Sequence, residues 1–345
     1  MEKDTVKLLG GLLIHKEAGM TSFDVIRYLR RHFAGLPREA RRAKWGHSGT
    51  LDPFATGVLI VLLGNATRLQ DELHLLPKTY RATLTLGATS DTDDVTGKIS
   101  PPWIRGSTQQ ELGRGSTLNA VEACVCGELR PHPCLLAGAS PHTRGGNATA
   151  PTNQQILAAL NQIKAQTSQI PPDYAAIKIQ GQKMYDLARE GKTIVKKPRP
   201  IIIHDIQLEE YSYPTLKISV TCSTGTYIRS IARDIGDMLG TGGYCSALER
   251  TAIGPFTIKN AILLKDLPED LTSVLIPLEK LVSHIESIEL AEDNVANLKN
   301  GREVEVTENI PINTPITLLD QNKKLFGIGV RKSIEKVMKA KKVFL

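Results

Sequence analysis

A run of six aliphatic residues at positions 58–63 constrains the fold more than any other feature of this sequence. Six residues fall far below the roughly 20 that a membrane-spanning helix needs, so the run belongs in the interior of a folded domain. A short apolar run of this kind is typical of a buried strand. The preceding residues, 46–57, are rich in glycine and turn-forming residues and predict a loop that leads into the strand. The length of 345 residues is enough for one large and one small domain around such strands.

Helical spacing before this loop predicts a first helix. Ser22 is a good N-cap, and Phe23, Ile26, Leu29 and Phe33 recur at helical intervals. We therefore expect a helix from Ser22 to about Phe33, with these apolar side chains on its buried face.

Three arginines, Arg27, Arg30 and Arg31, fall on the other side of this predicted helix. Two interpretations stay open at this point. The arginines form either an ordinary solvated helix face or a stripe that faces phosphate groups.

Other periodic segments predict further elements. Residues 80–86 and 216–222 alternate as half-buried strands do, and Thr152 with Gln155 forms a capping box at a helix start. A further helix, with Ile228 in its first turn, should end at Gly240.

The segment 90–97, Ser-Asp-Thr-Asp-Asp-Val-Thr-Gly, has the composition of an exposed acidic loop. Its carboxylates raise the question of calcium binding. The glycine and the distal glutamate are not at EF-hand spacing, so we predict no calcium site there.

The composition changes abruptly over residues 101–150, which contain arginine but neither lysine nor aspartate and are rich in Gly, Ser, Thr and Pro. Such a stretch predicts an inserted, flexible segment. Four soft metal ligands fall inside it, but without the paired Cys-x-x-Cys spacing of ordinary zinc sites; they are Cys124, Cys126, His132 and Cys134. We therefore predict no metal site.

A net charge of +7 favours a polyanionic partner, because clustered Lys and Arg attract phosphates. The five cysteines are an odd number, and the N-terminal residues lack the basic flank and cleavage site of a signal peptide. We expect reduced thiols, a cytoplasmic protein and no membrane association.

Asp52 lies between Leu51 and Pro53 in the glycine-bounded loop, at the lip of the predicted buried strand. A rigidly supported, accessible carboxylate is ionised at neutral pH and can act as a nucleophile. The same residues also suit a simple Asp-Pro turn or a helix N-cap. Spacing alone leaves both interpretations open.

Four blocks, in the same order, resemble the bacterial-type tRNA pseudouridine-55 synthase (TruB) family. They are residues 46–57, residues 78–87, residues 170–191 and residues 222–236. The region of Gly301, residues 326–329 and residues 343–344 are similar to the small PUA-like RNA-binding domain at the end of such proteins. The resemblance covers nearly the whole chain except the inserted segment.

The resemblance implies an α+β fold in two domains. A mixed-sheet catalytic domain is expected over residues 1–280, with the insertion at about 101–150, and a β-rich PUA-like domain over residues 281–345. It also implies an enzyme that isomerises the T-arm loop uridine of tRNA at position 55 to pseudouridine. No cofactor, metal or protein partner is expected, and the protein should be a monomer that binds the T-arm stem-loop.

By the same resemblance, Asp52 is the catalytic nucleophile and Arg229 its partner, which should lower the carboxylate pKa. Tyr80 matches the tyrosine that stacks on the flipped base and is a candidate for proton transfer. Tyr227 lies beside Arg229 at a strand-to-helix junction, and Leu248 matches an apolar residue of the uridine pocket.

His47 corresponds to a histidine that contacts substrate, and Lys178 and Arg250 are expected to contact phosphates. The sequence departs from the family pattern at four positions, Glu17, Ala175, Thr224 and Glu249. The last two lack a positive charge that is common there, which puts RNA affinity in doubt. The remaining alternatives are the same reaction on another RNA, and a non-catalytic RNA-binding or tRNA-folding protein.

Overall fold

The structure is a computed structural model that describes residues 9–36, 42–101, 150–174, 178–179, 182–183, 197–306, 310–332 and 336–344. The predictions for the inserted segment, including its cysteines and His132, lie outside these residues. Within the described ranges, no helix is long and apolar enough to span a membrane. The same ranges contain no cluster of three or more His, Cys, Asp or Glu side chains suited to a metal ion.

Most of the regular structure is strand. In chain order the strands are β1 (Gly10–Lys16), β2 (Trp45–His47), β3 (Thr56–Leu63), β4 (Lys78–Leu86), β5 (Thr89–Ser90), β6 (Ile99–Ser100), β7 (Ser168–Gln169), β8 (Lys178–Ile179), β9 (Gln182–Lys183), β10 (Arg199–Pro200), β11 (Ile203–Ser212), β12 (Thr215–Cys222), β13 (Gly243–Ile253), β14 (Phe256–Thr257), β15 (Ile262–Leu263), β16 (Ser287–Glu289), β17 (Val304–Glu305), β18 (Pro315–Leu319), β19 (Leu325–Arg331) and β20 (Val337–Val343).

The helices flank these strands. They are α1 (Ser22–His32), α2 (Gln70–Leu75), α3 (Asn153–Lys164), α4 (Ile228–Met238), α5 (Leu278–Leu281) and α6 (Glu292–Lys299). Short 3-10 turns lie at Gly64–Leu69, Ile258–Asn260, Leu264–Asp266 and Leu271–Val274.

One mixed sheet of nine strands organises the larger part of the described chain, in the order β11-β12-β4-β13-β3-β1-β15, with β14 on β13 and β2 on β3. β13 runs parallel to β3, and β1 runs parallel to β15, whereas the other pairs are antiparallel. The predicted strand at residues 58–63 is confirmed as β3, and all six of its side chains are fully buried. The predicted mixed-sheet α+β class is therefore confirmed.

Both faces of β3 are covered, which explains its unbroken apolar sequence. Leu59, Val61 and Leu63 pack in the core that α1 covers. Ile60 and Leu62 face the opposite side and share a core with residues of the C-terminal sheet. A third core lies under α3 and α4, against β4, β12 and β13.

The prediction for α1 was wrong in two details. Thr21, not Ser22, is the N-cap, and it forms a capping box with Asp24. The Ser22 hydroxyl instead bonds to the backbone of Leu51, so it is not available to cap the helix. The helix begins at Ser22 as expected, but Phe23 is 60% exposed, whereas Val25 is buried in the core.

The other periodicities are confirmed. α3 begins with a capping box of Thr152 and Gln155, and β12 buries alternate side chains from Leu216 to Cys222. α4 buries Ile228 and ends before Gly240.

A second sheet of five strands, in the order β16-β18-β19-β20-β17, forms the C-terminal part of the described chain. We call it, with α6, the C-terminal module. Its Leu325, Ile328 and Phe344 pack against apolar residues of the large sheet and its connections. The module is therefore docked on the larger domain through an apolar contact.

Candidate active site

The loop between β2 and β3 carries Asp52 and is held in place by buried side chains from three directions. The Lys16 ammonium, fully buried at the end of β1, donates to the carbonyl oxygens of Met20 at 2.8 Å and Pro53 at 3.2 Å. Ser22, at the start of α1, exchanges hydrogen bonds with the Leu51 backbone. Both contacts fix residues adjacent to Asp52.

Arg250 holds the loop from the third side. Its guanidinium donates to the carbonyl oxygens of Val58 at 2.8 Å, Gly49 at 3.3 Å and Thr50 at 3.4 Å. The residue is 1% exposed, so the expectation that it contacts phosphate was wrong. Period-two alternation from Leu248 on the same strand was the signal that could have placed Arg250 on the inner face.

Arg229 pairs with Asp52, as expected for the two residues. Arg229 Nε lies 3.0 Å from Asp52 Oδ2, and Nη2 donates to Oδ1 at 3.3 Å. The Nε contact is an ion pair that lacks the alignment of a hydrogen bond. The Arg229 side chain is 5% exposed and that of Asp52 is 34% exposed. The carboxylate thus stays accessible to a substrate while its partner is buried.

The prediction that segment 90–97 is an exposed loop was wrong for Asp93 and Asp94, although Asp91, Val95 and Thr96 are exposed. Asp94 is buried and its Oδ2 lies 3.1 Å from Arg229 Nη1, while Asp93 Oδ2 lies 2.9 Å from Arg233 Nη1. Arg229 and Arg233 are four residues apart and lie on one face of α4. The buried Arg229 guanidinium and the largely buried Arg233 guanidinium need carboxylate partners, and this segment supplies one to each.

The pKa of Asp52 is raised, although Arg229 acts in the expected direction. Desolvation of the carboxylate by the surrounding protein raises its pKa most, and the Arg229 guanidinium lowers it. The charge of Asp94 raises the pKa further. Arg229 therefore offsets, but does not overcome, the effect of burial on this carboxylate.

Tyr80 is half-buried on β4 and lies opposite Arg250 in the β4–β13 register. Burial raises the pKa of its phenol, whereas the charge of Arg250 and a hydrogen bond from it lower that pKa. The negative charge of Asp52 raises the pKa of the same phenol. Leu248 is buried two register positions away, opposite Ala82, in the core against which Tyr80 packs.

Tyr227 is the N-cap residue of α4, and its backbone forms a two-way pair with the Gln169 side chain. Tyr227 N donates to Gln169 Oε1 at 2.8 Å, and Gln169 Nε2 donates to Tyr227 O at 3.1 Å. Burial raises the pKa of the Tyr227 phenol, while the charge of Arg229 lowers it. Gln169 is therefore a supporting residue, although no sequence motif marks it.

His47 ends β2 and is half-buried. Its Nδ1 is buried, with no hydrogen-bond partner among the described residues. Burial and the charge of Arg250 lower its pKa. The backbone of Lys178 lies in the β8–β9 hairpin, but its side chain lies outside the described part of the structure.

Thr224, one of the departures from the family pattern, bonds to a residue of α2. Its Oγ1 lies 3.0 Å from His74 Nε2. The hydroxyl thus ties the loop before α4 to the end of α2, at a position where the expected lysine would have carried charge.

A family model described as TruB family pseudouridylate synthase, N-terminal domain, matches residues 38–129 and 139–228. A second, described as the tRNA pseudouridylate synthase B C-terminal domain, matches residues 229–283. The chain belongs to the TruB family. By that membership it is a pseudouridine synthase, and hence an isomerase.

Curated relatives match this TruB-family chain over nearly its full length. The tRNA pseudouridine synthase B of Clostridium tetani is 34% identical over 324 residues, covering 93% of this chain and 94% of the relative. That of Nitrosomonas europaea is 31% identical over 327 residues, covering 92% and 91%.

Solved structures share the fold. A Cbf5-Nop10-Gar1 complex contains a chain that matches with a TM-score of 0.66 at 20% identity, covering 98% of this chain and 85% of that one. An H/ACA RNP bound to a substrate RNA containing 2′-deoxyuridine contains another, with a TM-score of 0.64 at 19% identity, covering 98% and 86%. The large mixed sheet with a C-terminal β-rich domain is therefore an arrangement that this TruB-family chain shares with them.

Proposed function

We propose that this protein isomerises the uridine at position 55, in the T-arm loop of tRNA, to pseudouridine, with Asp52 as the nucleophile and without a cofactor. The observation that carries the proposal is the Asp52 carboxylate, one-third exposed, paired with the buried Arg229 and close enough for its charge to raise the pKa of Tyr80. The names of the curated relatives, tRNA pseudouridine synthase B, support tRNA as the substrate.

The reaction breaks the bond between C1′ of the ribose and N1 of uracil, turns the base, and joins C1′ to C5. The proton on C5 is then lost, and N1 gains one, so atoms and electrons balance without a donor or an oxidant. Asp52 acts on the ribose or on the uracil ring to make the first bond change possible. Arg229 keeps the carboxylate ionised and aimed during this step.

The flipped uracil stacks on Tyr80 and lies against Leu248. The Tyr80 phenol gives its proton to N1 of the detached uracil, and the resulting phenolate, stabilised by the Arg250 guanidinium, then takes the proton from C5. Tyr227 and His47 contact the substrate, and Lys178 contacts a phosphate.

Residues 281–345, which include the C-terminal module, act as a PUA-like RNA-binding domain, while residues 1–280 form the catalytic domain. A substrate with a folded stem-loop suits a protein that reads RNA by shape and by an unstacked base. The net charge of +7 favours such a partner.

The test uses an unmodified tRNA transcript and maps pseudouridine by position after incubation with the protein. We expect modification at position 55, none in a transcript with cytidine at that position, and none with Asp52→Asn. Asp205→Asn, which changes an exposed aspartate paired with Lys164 on the surface, serves as the matched control and should keep activity.

Three outcomes would contradict the proposal. Modification outside the T-arm would remove the substrate assignment, and modification of another RNA alone would replace it. Full activity in Asp52→Asn would remove the nucleophile. RNA binding without any pseudouridine, in the unaltered protein as well, would favour a non-catalytic RNA-binding role.

A further inference from the structure

The last turn of α1 presents two arginines that the Asp52 site does not use. Arg30 and Arg31 are exposed, and neither forms an ion pair within the described part of the chain. Arg27, one turn earlier, differs because its Nη2 lies 2.6 Å from Asp24 Oδ1. Two unpaired guanidinium groups on adjacent residues are therefore free to bind an anion.

A cavity of about 240 Å³ lies beside these arginines. It is lined by Arg30, Arg31, Phe33, Ala34, Leu36 and Trp45. The Trp45 indole Nε1 is buried and has no hydrogen-bond partner among the described residues. A buried N–H is normally paired, so this donor lacks an acceptor that a ligand could supply.

The cavity combines two cations, two aromatic side chains and one free donor. Cavities that enclose a whole small molecule usually hold about 300–1,000 Å³, so this one suits a part of a larger ligand. A nucleotide has the matching groups, namely a phosphate for the arginines, a planar base for the aromatic wall and base oxygens or nitrogens for the indole donor.

Its position relates the cavity to the Asp52 site. Trp45 and His47 are two residues apart in β2, where they pair with Leu63 and Val61 of β3. Residues at that spacing project from the same face of a strand, and their Cα atoms lie about 6.7 Å apart. The cavity wall formed by Trp45 therefore lies within about one nucleotide's length of His47, the residue proposed to contact the substrate.

We propose that this cavity binds one nucleotide of the substrate RNA outside the target uridine, with its phosphate on Arg30 and Arg31 and its base against Trp45. The proposal rests on the proposed function, because it requires an RNA placed at the Asp52 site. It resolves the two interpretations of the α1 arginines in favour of phosphate contact for Arg30 and Arg31, and of a solvated face for Arg27.

The experiment measures RNA affinity in the Asp52→Asn background, in which binding is separated from turnover. The double variant Arg30→Gln/Arg31→Gln should bind the tRNA transcript about tenfold or more weakly, and two lost phosphate contacts should reduce the slope of log K against log salt by about 1.4–1.8. Arg27→Gln is the matched control on the same helix and should change neither quantity. In the Asp52-containing protein, the double variant should keep kcat and raise KM.

A second readout follows Trp45 directly. The chain has two tryptophans, so Trp103→Phe leaves Trp45 as the sole indole. Its fluorescence should change on titration with the transcript, and should not do so in the double arginine variant.

An unchanged salt slope and affinity in the double variant, or a Trp45 signal indifferent to RNA, would overturn the cavity proposal. Neither result affects the proposed function if pseudouridine still forms at position 55. Failure of the proposed function is recognised separately, because the unaltered protein then makes no pseudouridine at position 55 at any RNA concentration.

Discussion

At the scale of single residues, opposing influences set the pKa of the Asp52 carboxyl. Burial and the Asp94 charge raise the pKa of its carboxyl, while Arg229 lowers it. A carboxylate nucleophile works only in its ionised form, so Arg229 contributes to catalysis by keeping that form populated. Asp94 has a double effect, since its charge opposes ionisation of Asp52 while its contact orients Arg229.

This balance predicts a pH dependence. Because the Asp52 pKa is raised, the acid limb of kcat should lie above the usual range of an aspartate, and activity should fall as pH drops through it. Arg229→Gln removes the largest influence that lowers this pKa, so it should move the acid limb to higher pH and lower kcat. Release of tritium from C5-labelled uridine, measured across pH, gives the profile.

Two controls accompany that measurement. Arg229→Lys keeps the positive charge and should keep the limb near its original position. Arg233→Gln alters an arginine on the same helix that pairs with Asp93, and it should leave the limb in place. If Arg229→Gln left the acid limb of the pH profile at the same pH, the ionisation of Asp52 would not be the cause of that limb.

Arg250 is the second residue whose role is set by burial. Its guanidinium donates hydrogen bonds to three carbonyl oxygens of the Asp52 loop and the adjacent strand. Its charge also lowers the pKa of the Tyr80 phenol. Carbonyl oxygens left unpaired in the interior are costly, so the residue links stability to the geometry of the site.

We predict that Arg250→Met destabilises the protein by at least about 2 kcal/mol, since hydrogen bonds to a charged group are each worth about 1.5–3 kcal/mol. The turnover of the folded fraction should also fall, because the loop loses its anchor. Urea unfolding gives the first quantity and single-turnover kinetics the second. Glu249→Gln, half-exposed on the same strand, is the control, and an equal effect there would contradict the role of Arg250.

At the scale of elements, the contact between β3 and β13 depends on a glycine. Gly57 has a φ of 110°, and a Cβ there would overlap the Arg250 carbonyl oxygen. Only glycine permits both the backbone conformation and this close approach. The parallel pairing of the two strands thus relies on the last residue of the glycine-bounded loop.

Gly57→Ala should therefore prevent stable folding, whereas Gly225→Ala should be mild. Gly225 also has a positive φ, of 84°, but a Cβ there would meet no atom within 4 Å. In Gly225→Ala, the positive φ by itself costs about 1–2 kcal/mol of folding free energy. Thermal unfolding and soluble yield compare the two variants, and equal losses would show that close packing at Gly57 is unimportant.

At the scale of the whole molecule, the C-terminal module is joined to the larger domain by more than its apolar contact. Lys342 Nζ lies 2.6 Å from Glu72 Oε2, and the Glu72 side chain is 4% exposed. Arg68 Nη1 donates to the Val343 carbonyl oxygen at 2.5 Å. A buried ion pair of this kind fixes orientation, because each charge is costly without the other.

We predict that Lys342→Met destabilises docking of the module by about 3–5 kcal/mol, since it leaves Glu72 buried without its partner. The double variant Lys342→Met/Glu72→Leu should recover much of the loss. Lys341→Met, on an exposed neighbour, should have little effect. Hydrogen exchange in β19 and β20 reports docking, and equal protection in all variants would contradict the prediction.

Much of the fold could be predicted because its signals are local. The aliphatic run of β3, the alternation of β12 and the capping box of α3 each depend on residues within a few positions of one another. The pairing of Asp52 with Arg229 is not local, and it was expected only through the resemblance of whole blocks to a family. The structure places the two residues in contact, which spacing could not have indicated.

The sequence by itself determined the mixed α+β class, the positions of most elements, the family and the residues that carry the proposed chemistry. The tertiary structure decided which charges are buried and what they hold. Asp94 meets Arg229 across 135 positions, and Arg250 meets Gly49 across 201. Whether a charged side chain is buried depends on such contacts between residues far apart in the chain. An aspartate in a turn-forming segment has the same local sequence whether water or a guanidinium faces it.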